Sequence, residues 1–493
     1  MNELKRLVTL VAEQAGKASP IITQQEIGLE KKLYNAIKDG AVATDEEAAA
    51  FIYGSSDLSA NYRMLKSRLR KKVLNTIIFL DQTHASEFEP SSPEIHECEL
   101  LLHQVRKLYD FGEYKVTKKL TEQILSISVS SQLTEFTVKA LEYQRGISLL
   151  VQDKPKFTSI NQELQLYYNL ETAERKAKNI FYAARIELTG KASSKNQYLP
   201  QLVTVLHELK ELWQQTSVSK IFYYYHSLRI TQLEMEGNYE AIFGAIQEAE
   251  KLLKQGVLNT RWYNARFNNY IKTYAYIRTN QYALGLAFAQ KHLVDYNPKS
   301  FNWFAYMENY IQLALYAREY KLAVELMAQV TGNDYLNSLS RNKRERWELH
   351  RRYLLLCCGD IKEEEYNFLK KEICAFKILS TDKEGSNLPI IIYRLIDNLI
   401  YNKFDALECQ PELINKYISR HLRGEKAERV RIFLRLLLLV VKEEGDLNLI
   451  QLKSKPLLEK LSAATKSEDT YAELEIVPYE HLWELVINGL QRK

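Results

Sequence analysis

Turn-forming residues are scarce in this chain: 17 Gly and 10 Pro are spread over 493 positions. A β-sandwich or barrel of this length needs many more, so that class is excluded and helices are expected to dominate. Cysteine is scarcer still. Cys98, Cys357, Cys358, Cys374 and Cys409 are odd in number and form no C-x-x-C pair, which argues against a disulfide framework and for a reducing compartment. Long apolar runs are also missing. The greasiest stretch, "IFLRLLLLVV" at 432–441, has ten residues with Arg435 inside it, about half of the ~20 that a membrane span requires. At the start, Glu3 and Glu13 interrupt the apolar residues, so no secretory leader is read there. These absences lead to the expectation of a cytoplasmic protein with no membrane partner.

Chemical motifs are missing too. Neither glycine-rich phosphate cradle, G-x-x-x-x-G-K-[ST] or G-x-G-x-x-G, occurs, nor does G-x-S-x-G or H-E-x-x-H, which disfavours the nucleotide-binding enzymes, hydrolases and zincins built on them. His96, Glu99 and His103 share a helical face. The two histidines nonetheless lie about 10.5 Å apart along the axis, too far to meet one zinc ion at ~2.1 Å. The expectation is therefore a protein that is not an enzyme, with no metal and no cofactor.

What is present is an ordinary folding composition, 46% hydrophobic and 26% charged. The length exceeds one compact helical core and suggests about three domains or one solenoid. A net charge of +5 is small for this size, so any basic surface must be local.

The strongest pattern is a repeat. "EGNYEAIFGAIQEAEKLL", "TNQYALGLAFAQKHLV" and "AREYKLAVELMAQV" each place a polar pair before a tyrosine (Tyr239, Tyr282, Tyr320) that opens a helix with small residues on one face. Weaker matches stand at Ile361, Phe404 and Tyr114. From Tyr239 onward the anchors are 43, 38, 41 and 43 residues apart, and an aromatic-rich helix precedes each of the three tyrosine anchors. One helical hairpin cannot bury its own apolar face, so hairpins of this kind stack. In Tyr223-Tyr224-Tyr225 the rings sweep about 200° around a helix, more than one core-facing stripe of about 100° absorbs, so that helix should have neighbours on both sides.

These small-residue helices opening on Gly-Asn-Tyr or Glu-Tyr resemble the tetratricopeptide repeat over roughly 95–420, most clearly over 222–330. The resemblance implies a right-handed superhelix whose concave groove holds a protein or peptide partner. Candidate anchors for that partner are Tyr224, Tyr263, Tyr270, Tyr274 and Trp303, since aromatic side chains of first helices carry much of such binding. Two basic clusters, "RNKRERWELHRR" at 341–352 and the series from Lys416 to Arg435, alternate with Glu; they could attract an acidic peptide or form pairs within their own helices.

A third basic stretch stands near the start. "DLSANYRMLKSRLRKKVL" packs six Lys or Arg into positions 63–72, while Tyr62, Leu65, Leu69, Val73 and Ile77 recur at helical spacing. Before it, Thr44 and Glu47 form a capping-box pattern and Gly54 ends a short helix. The two helices resemble the helix-turn-helix part of a winged-helix domain, which would make Arg63, Ser67, Arg68, Lys71 and Lys72 a nucleic-acid contact surface. The stretch after them continues the helical pattern into a loop and supplies no wing. The other reading is a solvated face whose cations answer Glu46, Glu47 and Asp57.

Taken together, the sequence predicts an all-α protein of antiparallel helical-hairpin repeats. A basic helical module spans 1–85, a linker 86–94, tetratricopeptide-like repeats 95–477 and a capping helix 478–493. The expected function is partner binding as a scaffold; the alternative is a nucleic-acid-binding regulator whose repeats sense or oligomerise.

Overall fold

The structure, a computed structural model, describes residues 1–14, 28–77, 92–189, 192–263, 265–358, 388–400, 410–422, 427–464 and 475–491. Among the described residues there are 21 α-helices and no strand, as the low Gly and Pro content requires. Contacts group the chain into two units, Met1–Glu171 and Thr172–Lys493.

The first unit opens with α1 (Asn2–Gln14), α2 (Leu29–Lys38), α3 (Asp45–Tyr53) and α4 (Ala60–Ile77). Leu4, Val8, Leu33, Ile37, Leu65, Leu69 and Val73 form their shared core. The inward stripe of α4 is thus the one its apolar spacing predicts. Thr44 and Glu47 make the expected capping box, and Gly54 closes α3 in the left-handed conformation. Next come α5 (Ser92–Asp110), α6 (Tyr114–Ser130), α7 (Thr134–Leu150) and α8 (Lys154–Leu188), the first unit ending within α8 at Glu171. α5 begins inside the expected linker, whose residues 86–91 lie outside the described residues.

A single turn geometry joins α5 through α8. Gly112, Gln132 and Gln152, spaced 20 residues apart, each have positive φ. The amide after each reaches back five residues: Glu113 to the Leu108 carbonyl at 2.9 Å, Leu133 to Ser128 at 2.7 Å, Asp153 to Ser148 at 2.9 Å. This double closure satisfies the orphan carbonyls of one helix and reverses the chain into the next.

The second unit repeats the device. It holds α9 (Ala192–Thr216), α10 (Ser219–Met235), α11 (Tyr239–Lys254), α12 (Ala265–Arg278), α13 (Tyr282–His292), α14 (Phe301–Tyr316) and α15 (Tyr320–Thr331). Gly237, Asn280 and Arg318 take the left-handed conformation, and the amides of Asn238, Gln281 and Glu319 close back on Leu233, Tyr276 and Ala314. The tyrosine anchors Tyr239, Tyr282 and Tyr320, like Tyr114 in the first unit, are the first residues of their helices. Ile361 and Phe404 lie outside the described residues.

From α9 to α15 each helix packs on its successor, and α12 also packs on α14 across the intervening pair member. α10 has α9 on one side and α11 on the other, as the tyrosine sweep requires; Tyr224 and Tyr225 are buried and Tyr223 is half-buried. Gly285 lets α13 approach closely, since a Cβ there would stand 2.7 Å from Leu313 Cδ2 and 2.8 Å from Tyr276 Cβ. The remaining helices are α16 (Arg341–Cys357), α17 (Leu388–Ile400), α18 (Gln410–His421), α19 (Glu428–Lys442), α20 (Leu447–Ala463) and α21 (Tyr479–Gln491). α21 packs on α16, α17 and α20, burying Leu482, Trp483 and Val486.

One ionic cluster ties four of these helices. Arg429 of α19, 5% exposed, donates to Glu475 at 2.8 and 3.1 Å, to Glu480 at 2.9 Å and to the Leu461 carbonyl at 2.9 Å. The Glu475 carbonyl accepts from the Tyr316 hydroxyl of α14 at 2.7 Å. Cys98, Cys357 and Cys358 are buried and unpaired; burial pushes their thiols up, that of Cys98 to about 11 and that of Cys358 to about 12, which suits inert packing. Cys374 and Cys409 lie outside the described residues.

Two stability predictions follow from this architecture. Gln152 is exposed and left-handed, a conformation that costs an L-residue about 1–2 kcal/mol. Gln152→Gly should raise the urea midpoint by the equivalent of about 1 kcal/mol at unchanged slope; a fall would show that the side chain contributes more than the strain. Arg429→Met leaves Glu475 buried without its cation and should cost about 3–5 kcal/mol. Pairing it with Glu475→Leu should recover much of that loss in a thermal melt.

Candidate functional site

The five aromatic candidates divide by burial. Tyr224 and Trp303 are each 5% exposed and belong to the core: Tyr224 stacks on Phe181 of α8 at 4.6 Å, and Trp303 meets Phe304 edge-on at 4.9 Å. Tyr270 and Tyr274, one turn apart on α12, are half-buried against the cluster formed with α10 and α11, Tyr274 standing edge-on to Tyr239 at 5.9 Å. Tyr263 lines a concave surface.

That surface is a shallow cleft where the segment leading into α12 crosses α10. Tyr223, His226, Trp262, Tyr263, Phe267 and Asn268 line it. His226 Nε2 lies 2.9 Å from Asn268 Oδ1, and its ring stacks on Phe222 at 5.6 Å with 12° between planes. Burial holds the His226 imidazole below its ordinary value, toward the neutral form. Burial, with Glu250 nearby, pushes the Tyr263 phenol up to about 12. Lys220 places its ammonium 5.0 Å from the Trp262 ring centre. The cleft therefore offers neutral hydrogen-bonding groups framed by rings. Sequence reasoning missed His226 and Asn268; the signal present was a pair of asparagines, Asn268 and Asn269, both buried in an otherwise aromatic helix.

A second surface is the outward side of α4. Arg63, Ser67, Arg68 and Lys71 are exposed. Lys72 is half-buried and pairs with Glu30 of α2 at 2.6 Å. Lys66 pairs with Asp45 at 2.7 Å and Arg70 with Glu3 at 2.6 Å. The acids that answer α4 are thus Asp45, Glu3 and Glu30, not the expected Glu46, Glu47 and Asp57. The difference is one of packing: Glu47 is committed to capping α3, and the partners are the first residue of α3, Asp45, together with Glu3 of α1 and Glu30 of α2, two helices that pack directly on α4.

The chain finds no match among protein-family models, curated proteins or solved structures. The two surfaces must be read from their own chemistry.

The other basic clusters are largely consumed. Arg341 pairs with Glu345 at 2.8 Å, and Arg351 and Arg352 both pair with Glu348, at 2.8 and 3.2 Å. Arg346 and His350 meet Glu308 of α14. Arg431 donates to the Leu422 carbonyl at 2.9 Å. Among the described residues no group of three His, Cys, Asp or Glu is placed to hold a metal ion, the His96, Glu99, His103 set included.

Asp45 connects the α4 cations to stability. Burial acts to raise its carboxyl, but hydrogen bonds from Lys66 and from the Tyr62 hydroxyl at 2.6 Å hold it at about 2 against an ordinary 3.8. A depressed folded value means stabilisation that is complete above the ordinary value and is lost as pH falls toward about 2. Wild type should therefore lose stability relative to Asp45→Asn between those two values in urea titrations, whereas parallel curves through that window would discount the pair.

Proposed function

We propose that this chain is a non-enzymatic, tetratricopeptide-like binding protein of the cytoplasm, whose helix pairs present a surface to a protein or peptide partner. The observation that carries the reading is the recurrence of one turn geometry at Gly237, Asn280 and Arg318, which closes three successive hairpins in the same way, with the first helices α12 and α14 packed side by side. Stacked first helices make a continuous surface, and continuous surfaces of this kind suit extended partners. Tyr223, Tyr263 and Phe267 are the half-exposed rings of the cleft, and the two that also carry a hydroxyl, Tyr223 and Tyr263, are the anchors on this reading; Tyr224, Tyr270, Tyr274 and Trp303 hold the helices that display them. An aromatic ring backed by a packed core loses little conformational freedom on binding, which favours it as a hot spot.

The test is affinity purification from the native host with wild type and with Tyr223→Ala/Tyr263→Ala. A stoichiometric protein recovered with wild type should fall at least about tenfold with the variant, the loss of one anchor worth about 1.4 kcal/mol, while the melting temperature stays close to that of wild type. Recovery of the chain alone, or equal recovery by both proteins, would overturn the reading.

A further inference from the structure

α4 stands apart in its charge balance. Its eighteen residues, "ANYRMLKSRLRKKVLNTI", hold six cations and no carboxylate. Three of the six are committed within the module, Lys66 to Asp45, Arg70 to Glu3 and Lys72 to Glu30. Arg63, Arg68 and Lys71 are exposed and have no ion-pair partner among the described residues. At about 100° and 1.5 Å per residue these three occupy one side of the helix over roughly 12 Å of its axis. Ser67, also exposed, lies between them, and Asn75 one turn beyond Lys71. The opposite side of α4 is fixed by Tyr62, Leu65, Leu69 and Val73 in the module core.

We propose that this face binds the phosphate backbone of duplex nucleic acid, with Arg63, Arg68 and Lys71 as the charged contacts and Ser67 and Asn75 as neutral donors. The inference is independent of the partner-binding reading, since it concerns a different face of a different unit. A duplex offers about one phosphate per 1.7 Å of axis, so three fixed cations find partners in any register. An acidic protein would need carboxylates spaced to match. Serine and asparagine side chains are ordinary phosphate donors and cost no counter-charge. Because the helix that carries the cations is fixed by a packed core rather than being a loop, contact orders side chains but not backbone. With three phosphates neutralised, the logarithm of affinity should fall against the logarithm of salt with a slope of about −2.7. The contacts address the backbone, so sequence preference is not part of the expectation.

Fluorescence anisotropy of a labelled mixed-sequence DNA duplex with the full chain tests this. Affinity should weaken about 40-fold between about 50 and 200 mM salt. Arg63→Glu/Arg68→Glu/Lys71→Glu should abolish binding, and Arg68→Gln alone should reduce the slope by about 0.9. Arg63→Lys/Arg68→Lys keeps the charges and should bind as wild type does, which guards against a variant that merely misfolds. No binding at low salt, or a salt slope unchanged in the triple-Glu variant, would overturn the proposal. Tighter binding to phosphatidylserine vesicles or to polyglutamate than to the duplex would overturn it as well, assigning the face to a lipid surface or to an acidic protein.

Discussion

The turn shared by the ends of six helices, α5, α6, α7, α10, α12 and α14, is the constraint on which the rest depends. A helix leaves its last carbonyls unpaired, and an abrupt reversal must satisfy them without spending residues. Here a left-handed residue followed by a back-reaching amide does both within three positions, at Gly112, Gln132 and Gln152 in one unit and at Gly237, Asn280 and Arg318 in the other. Because the closure fixes the direction of departure, each following helix runs antiparallel against the one before it. The apolar faces then meet in sequence order, and the core grows by addition of neighbours.

Part of this was legible beforehand. Tyr239, Tyr282 and Tyr320 mark helix starts in the sequence because a tight polar turn before an aromatic and a small-residue face is a local signal, set by residues close together. The rhythm of 20 residues in α5 through α8 was not legible beyond Tyr114. Its left-handed positions after Gly112 are glutamines, which carry no turn signature, and the hydrogen bonds that hold them there belong to the backbone. Arg318 hides the same geometry behind a charged side chain. The aromatic candidates show a different limit: periodicity says that a ring faces a neighbouring helix, but only packing decides whether it lies beneath that neighbour, as Tyr224 and Trp303 do, or at its margin, as Tyr263 does.

Charge was legible in amount and not in pairing. α16 is the more arginine-rich helix to the eye, yet Glu345 and Glu348 within it and Glu308 across from it answer four of its six cations, Arg341, Arg346, Arg351 and Arg352. Spacing of three and four residues makes such pairs nearly automatic, and exposed ones contribute only a few tenths of a kcal/mol. Arg351 and Arg352 are buried, where the same pairing becomes a requirement, because an unanswered charge there would cost far more than the pair returns. Arg429 with Glu475 and Glu480 is the extreme of that logic.

α4 inverts it. A helix with no acid of its own cannot neutralise itself, and among the described residues its neutralising contacts come from α1, α2 and the start of α3, which reach only the flanks of its buried side. Cations at the flanks are therefore recruited into the module's stability, while those on the outward side are left to solvent by geometry. This partition explains how one short basic run can hold a fold together and still leave a surplus of positive charge in one place, although the chain as a whole is close to neutral for its size. A charge surplus produced in this way is rigidly mounted, since the residues beside it are the ones the core and the ion pairs immobilise.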